Sequence, residues 1–128
     1  MEGKMMVRCV ILGEPASLKN SRQLVTIAGR PAFIKSKKAR DFERSAMLQV
    51  RPITPLLEGP VRATIRLFYA SQRPDLDESV VLDVLQGKIY ANDRQVREKH
   101  VFHAIDKTNP RAEVIIEPIQ PQQQDLAA

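Results

Sequence analysis

The chain has a single cysteine, Cys9, so it can build neither an intrachain disulfide nor a multi-cysteine zinc site. A disulfide scaffold and a zinc finger are excluded, and a reducing compartment fits. Long apolar runs are missing as well: no uncharged stretch approaches the roughly 18 residues that a membrane span requires. Near the start, Lys4 precedes an apolar run as in a secretory signal, but Arg8 interrupts that run and Glu14-Pro15 ends it. There is no internal repeat. These absences leave a chain without a membrane partner, expected to be soluble and cytoplasmic.

What is present is globular. At 128 residues, 43% hydrophobic and 27% charged, the length argues for one domain. A chain of this size can bury roughly two thirds of its unfolded surface. The 20 Lys and Arg outweigh 15 Asp and Glu, for a net charge of +5 and a pI near 9.7. That excess is local. Between Lys19 and Arg44 there are eight basic residues against Asp41 and Glu43, a net +6, so the remainder sums to −1. A basic block on a compact domain is the footprint of a phosphate-backbone binder, because each cation that meets a phosphate releases a condensed counterion. A solvated helix face with a positive excess would give the same count.

Residues 5–13 are β-branched and apolar and meet Gly13-Glu14-Pro15, which reads as a strand closed by a turn. Leu24–Ala28 and Ala32–Ile34 flank Gly29-Arg30-Pro31 and read as a hairpin. Ser36 is placed to cap a helix over 37–50, with apolar positions Ala39, Phe42, Ala46, Met47 and Val50 on one face and Arg51-Pro52 as its stop. Residues 61–69 alternate strictly, with Val61, Ala63, Ile65, Leu67 and Tyr69 on one side of a strand. A second helix is predicted over about 78–86, from Asp77 to Gly87, followed by a turn at Asn92-Asp93 and strands at about 95–106 and 111–117. The order β-ββ-α-β-α-ββ predicts an α+β domain over 1–117, in which one mainly antiparallel or mixed sheet carries two helices. Residues 118–128, with three consecutive glutamines, are expected to be a disordered tail.

Asp75 and Asp77 bracket Leu76 at the strand-to-helix junction. In extended chain, residues two apart point to the same side, so both carboxylates would project together. They would repel unless a cation lay between them, and hard oxygen ligands completed by water suit Mg²⁺. Asp77 also fits the ordinary role of a helix cap, and Asp75 that of a loop residue. Asp93 follows Asp77 by sixteen residues, and the intervening helix can return the chain toward the same place. An Asn-Asp pair is equally a common turn former. Asp83, six residues after Asp77, falls near the opposite side of a helical wheel and stays outside the set. His100 and His103 fall on opposite faces of a strand and read as structural or surface residues, and Cys9 as a small core residue.

Three separated pieces, Arg73-Pro74-Asp75-Leu76-Asp77, Leu82-Asp83-Val84-Leu85-Gln86-Gly87 and Ile89-Tyr90-Ala91-Asn92-Asp93-Arg94-Gln95-Val96, together resemble the RusA family of Holliday-junction resolvases. Gly13-Glu14-Pro15, Ser17 to Arg22, the hairpin and Ser36-Lys37-Lys38 ahead of Phe42 fit the same pattern, so the likeness covers roughly 7–117. The resemblance implies a small homodimeric endonuclease, of a kind common in phages, that resolves four-way DNA junctions in recombination and repair with Mg²⁺, or with Mn²⁺ in its place. Carried over by position, Asp75, Asp77 and Asp93 are its catalytic, metal-binding acids. Lys19, Asn20, Arg22, Lys35, Lys37, Lys38 and Arg73 are its expected DNA contacts. The chain departs from the pattern at Glu78 in place of Asn, at Val81 in place of a lysine, and at Asn92 in place of the first acid of an Asp-Asp pair. Lys88, Arg73 or the Lys35–Lys38 cluster are candidates to replace that lysine, and Glu78 is a candidate fourth carboxylate. The alternative reading is a non-catalytic protein that binds DNA junctions.

Overall fold

The computed structural model describes residues 6–17 and 22–120. In chain order the elements are β1 (Val7–Leu12), β2 (Arg22–Ile27), β3 (Arg30–Lys35), α1 (Lys37–Gln49), β4 (Val61–Tyr69), α2 (Ser79–Leu85), a 3₁₀ turn (Asp93–Gln95), β5 (Val96–Ile105) and β6 (Arg111–Pro118). The fold is α+β in the expected order, with a mixed four-stranded sheet in the order β1-β6-β4-β5 and a separate β2-β3 ribbon. β6 runs to Pro118, and beyond it Ile119 donates its N–H to the Pro60 carbonyl at 3.0 Å and buries its side chain. Of the expected tail, residues 121–128 lie outside the described residues.

The alternation of β4 dictates the layering. Val61, Ala63, Ile65, Leu67 and Tyr69 are fully buried and join Ala112, Val114 and Ile116 of β6 on one side of the sheet. Onto that side pack Ala39, Phe42 and Ala46 of α1 and Val80, Val81, Val84 and Leu85 of α2. The other side of the sheet carries long charged side chains laid over apolar groups. The Arg111 guanidinium sits 3.8 Å from the Phe68 ring centre, Arg66 sits 5.1 Å from that of Phe102, and Arg62 pairs with Glu98 and Glu117.

Local chemistry sets the element ends. The Ser36 hydroxyl accepts from the Ala39 N–H at 3.2 Å and starts α1. Its last carbonyls, otherwise without partners, are served by Lys88, whose Nζ donates to the Met47 and Val50 carbonyls at 2.8 and 3.0 Å. Edge strand β1 is held by Gln49, whose amide donates to the Leu12 carbonyl and accepts from the Leu12 N–H. A two-stranded ribbon is marginal alone, and β2-β3 is tied to α1 by the Lys35–Glu43 ion pair at 2.9 Å and by Arg40, which donates to the Lys35 carbonyl.

The pairing of β4 positions the site. β4 runs antiparallel to β6 but parallel to β5, through a crossover that contains α2. The end of β4 and the start of β5 therefore lie at opposite ends of the sheet. The segment 70–78 folds back to bridge them. The Tyr69 hydroxyl donates to the Asp75 carbonyl at 3.2 Å, and Glu78 reaches Lys99, whose register partner Ala63 lies two residues from the start of β4.

Packing in the main sheet and on the separate ribbon has unequal value. Ile65→Ala, at a fully buried position, is expected to lower unfolding free energy by about 2–5 kcal/mol. Phe33→Ala, on the ribbon at 69% exposure, should change it by no more than about 0.5 kcal/mol. Denaturant titration of both variants checks the assignment, and equal losses would contradict it.

Candidate active site

Asp77 is 5% exposed, just ahead of α2. Its Oδ1 accepts from the Ser79 backbone N–H at 2.9 Å and from the Ser79 hydroxyl at 2.6 Å, while Oδ2 faces the buried Ser17 hydroxyl at 3.4 Å. The helix N-cap is Glu78, one residue on, so Asp77 is not the cap expected of it; its bonds to Ser79 form a local turn ahead of the helix. Its carboxylate is also held in one orientation by three polar groups. The carboxyl group of Asp75 is exposed on the loop, and its backbone carbonyl takes the Tyr69 hydroxyl. Burial, with the negative charges of Asp77, Glu14 and Glu78 nearby, pushes the Tyr69 phenol up to about 12. At neutral pH that hydroxyl is a donor, not a base.

Asp93 lies on the exposed 3₁₀ turn. The turn is capped by its neighbours. The Asn92 carbonyl oxygen Oδ1 accepts from the Arg94 N–H, and Gln95 Oε1 accepts from the Ala91 and Asn92 N–H groups. The Gln95 amide also donates to the Leu57 and Gly59 carbonyls, both at 2.9 Å, fixing the turn to the preceding loop. The local hydrogen-bonding role open to an Asn-Asp pair thus belongs to Asn92 and Gln95, and the Asp93 carboxylate takes no part in it. Gln86 Oε1 accepts from the Asp93 N–H and orients its backbone.

Asp83 links the two segments. Partial burial raises its pKa, Lys35 opposes that rise, and Glu43, Asp93 and Asp77 add to it. Asp77, Asp83 and Asp93 thus share one electrostatic neighbourhood. Spacing from Asp77 alone puts Asp83 on the far side of the wheel, whereas in the structure it lines a cleft with Asp93. The helix begins at Ser79, and Asp83 lies four residues after it, on the same face. Asp83 and Asp93 line one cleft together with Glu78, Ser79 and Lys99.

All the polar groups that these acids bring are oxygens, the hard donors that suit Mg²⁺ or Mn²⁺. Among the described residues, no group of three or more His, Cys, Asp or Glu is close enough to hold a metal ion as it stands. The donor chemistry fits a hard divalent cation, while the spacing is wider than a closed ligand set.

The basic candidates spread around this centre. Lys35 ends β3 beside Asp83 and pairs with Glu43. Lys37 and Lys38 are exposed in the first turn of α1, with Lys37 paired to Asp41 at 2.8 Å. Arg73 is exposed on the loop before Asp75, and Arg22 opens β2 opposite Lys35 in the register. Lys19 and Asn20 lie outside the described residues. Val81 is 1% exposed within the core. Lys88 is committed to the end of α1 and cannot replace a site lysine, and Glu78 is engaged by Lys99 at 2.8 Å. His100 is exposed and contacts Glu98, while the His103 ring lies 4.8 Å from that of Tyr69.

No helix among the described residues is long and apolar enough to cross a membrane. Residues 13–117 match the family model described as Endodeoxyribonuclease RusA. No curated protein matches the chain.

A raised carboxyl pKa has a definite sign for stability. The folded state holds the proton more tightly than the unfolded one, so stability falls as pH rises through this window and ionised Asp83 is a net cost above it. Asp83→Asn is expected to raise stability at neutral pH by up to about 0.5 kcal/mol after solvent screening. The gain should vanish at about pH 3, where the wild-type carboxyl is protonated too. Denaturant unfolding at the two pH values checks this, and a loss of stability at neutral pH would contradict it.

Proposed function

The chain belongs to the endodeoxyribonuclease RusA family, and from that premise we propose that it is a Mg²⁺-dependent endonuclease that resolves four-way DNA junctions, with Mn²⁺ able to substitute. The observation that carries this reading is geometric: Asp83 and Asp93, from α2 and the 3₁₀ turn, line one cleft with Glu78 and Ser79, and the same Ser79 fixes the carboxylate of Asp77. In this reading Asp75, Asp77 and Asp93 hold the cation and Asp83 adds negative charge behind them. Bound there, a divalent cation supplies water activation, orientation of the scissile phosphate and neutralisation of charge on the leaving 3′ oxygen.

The protein's own contribution is positioning. Ser79 and Ser17 fix the Asp77 carboxylate before any ligand arrives, so little side-chain freedom is lost on binding. The Tyr69 hydroxyl stays protonated and anchors the loop of Asp75 through its carbonyl. Lys37 and Lys38 occupy the first turn of α1, where the helix dipole disfavours cations and no acid shares the turn, although Lys37 reaches Asp41 one turn on. That placement weakens the helix and suits a polyanion. With Lys35 and Arg73, and with Lys19, Asn20 and Arg22, they would follow the phosphate backbone. Cutting two strands related by symmetry calls for two copies of this site, so the acting form in this reading is a homodimer.

A second reading, a junction-binding protein without cleavage, is favoured by Val81, which stands at the family's lysine position and is buried. Incubation with a labelled four-way junction and Mg²⁺ separates the two. Wild type is expected to nick the junction, and Asp77→Asn and Asp93→Asn to slow nicking by at least about a hundredfold. Asparagine at 77 keeps an acceptor for Ser79, so thermal stability and junction binding should persist. Equal cleavage by wild type and Asp77→Asn would overturn the assignment, and salt-sensitive binding with no cleavage in Mg²⁺ or Mn²⁺ would leave the second reading.

A further inference from the structure

Lys99 stands where a strand would be expected to place an apolar side chain. In the register of β4 and β5, Ala63 pairs with Lys99, Ile65 with Val101 and Leu67 with His103, so Lys99 is on the helix-covered side of the sheet. Ala63, Ile65 and Leu67 are all fully buried there. On this edge strand His103 shares that side and is exposed as well, so what sets Lys99 apart is the cleft it meets. The lysine lines the cleft that also receives Glu78, Asp83 and Asp93. Among the described residues of that cleft it is the cation facing three acids.

A metal ion is drawn to such a cleft by the acids, but a phosphodiester is repelled by them. A fixed positive charge beside the metal would let the anion approach and would hold one of its oxygens. The other basic groups nearby are not among the residues that line the cleft. Lys88 closes the end of α1, and Lys35, on the other flank of Asp83, is bound to Glu43. The partner of Lys99 is Glu78, at 2.8 Å, with the lysine side chain 47% exposed. The Glu78 side chain is 19% exposed, so it is the lysine end of the pair that is open to water and can be exchanged for a phosphate.

We propose that Lys99 is a catalytic residue of this cleft, which leaves Glu78 to grip a non-bridging oxygen of the scissile phosphate when DNA binds. In that role it supplies the positive charge that Val81 cannot. The inference rests on the nuclease reading for the identity of the anion, and its test separates the two.

Lys99→Met and Lys99→Arg are compared with wild type on a labelled four-way junction. Under single-turnover conditions with Mg²⁺, the methionine variant should cleave roughly ten- to a hundredfold more slowly, and arginine should restore most of the rate. Binding is read separately with Ca²⁺ in place of Mg²⁺ across a salt series. The slope of log affinity against log salt should fall by about one for methionine and stay at the wild-type value for arginine. Unchanged cleavage with an unchanged slope in Lys99→Met would overturn the role. So would slow cleavage that arginine fails to restore, with an unchanged slope, because that outcome marks a structural role. If wild type itself does not cleave, the nuclease reading fails, and the salt slope alone decides whether Lys99 meets a phosphate.

Discussion

The burial of the apolar face of α2 fixes the position of the charged groups around it. A helix of seven residues cannot sustain itself in water. It exists because Val80, Val81, Val84 and Leu85 are packed against the sheet and α1. That contact leaves no rotational freedom. Ser79 and Asp83 are carried on the opposite rim, Asp77 is pinned at the start, and Glu78 is aimed at β5. The same contact removes position 81 from the site, so any cation needed there must come from another element.

The second constraint is topological. Parallel pairing of β4 and β5 sends the residues after β4 and those before β5 to opposite ends of the sheet. The returning segment 70–78 brings the acids of α2 back over the sheet face, and the clamped turn at Asn92–Gln95 sets Asp93 beside them. The result is a cluster whose charges are poorly balanced within the protein. Asp83 is pushed up by burial and by neighbouring acids, and the lysines on its two flanks are each restrained by a glutamate, Lys35 by Glu43 and Lys99 by Glu78. Partly exposed pairs of this kind contribute little to stability. In the proposed reading they keep opposite charges close to hand for a metal ion and a phosphate.

Much of the fold was legible in the sequence because its signals are local. The alternation of 61–69, Ser36 ahead of a helical repeat and Gly29 in a hairpin each specify an element without reference to the rest of the chain. Strand direction is different, since alternation identifies faces and says nothing of which way a neighbour runs. For that reason the parallel β4–β5 pair, and with it the folding back of 70–78, could not be read. At the site, the place of Asp77 at the start of α2 was legible, although the cap itself is Glu78, and Asp93 lies in the turn its neighbour foretold. The place of Asp83 in a cleft with Asp93 depends on how α2 packs, which spacing from Asp77 does not contain. Lys99 was overlooked although parity marks it, sharing the face of Val101. Its meaning depends on Glu78 arriving from 21 residues away in sequence, which a pattern within one strand does not contain.

In the proposed function, the acids around α2 and the Asn92–Gln95 turn gather a divalent cation. The most direct test is a crystal of the protein grown with Mn²⁺, with anomalous diffraction locating the ion. The account predicts a peak within about 2.3 Å of carboxylate oxygens of Asp77 and Asp93, with the turn drawn toward α2. An ordered cluster with no peak, or Mn²⁺ bound only away from these residues, would contradict it.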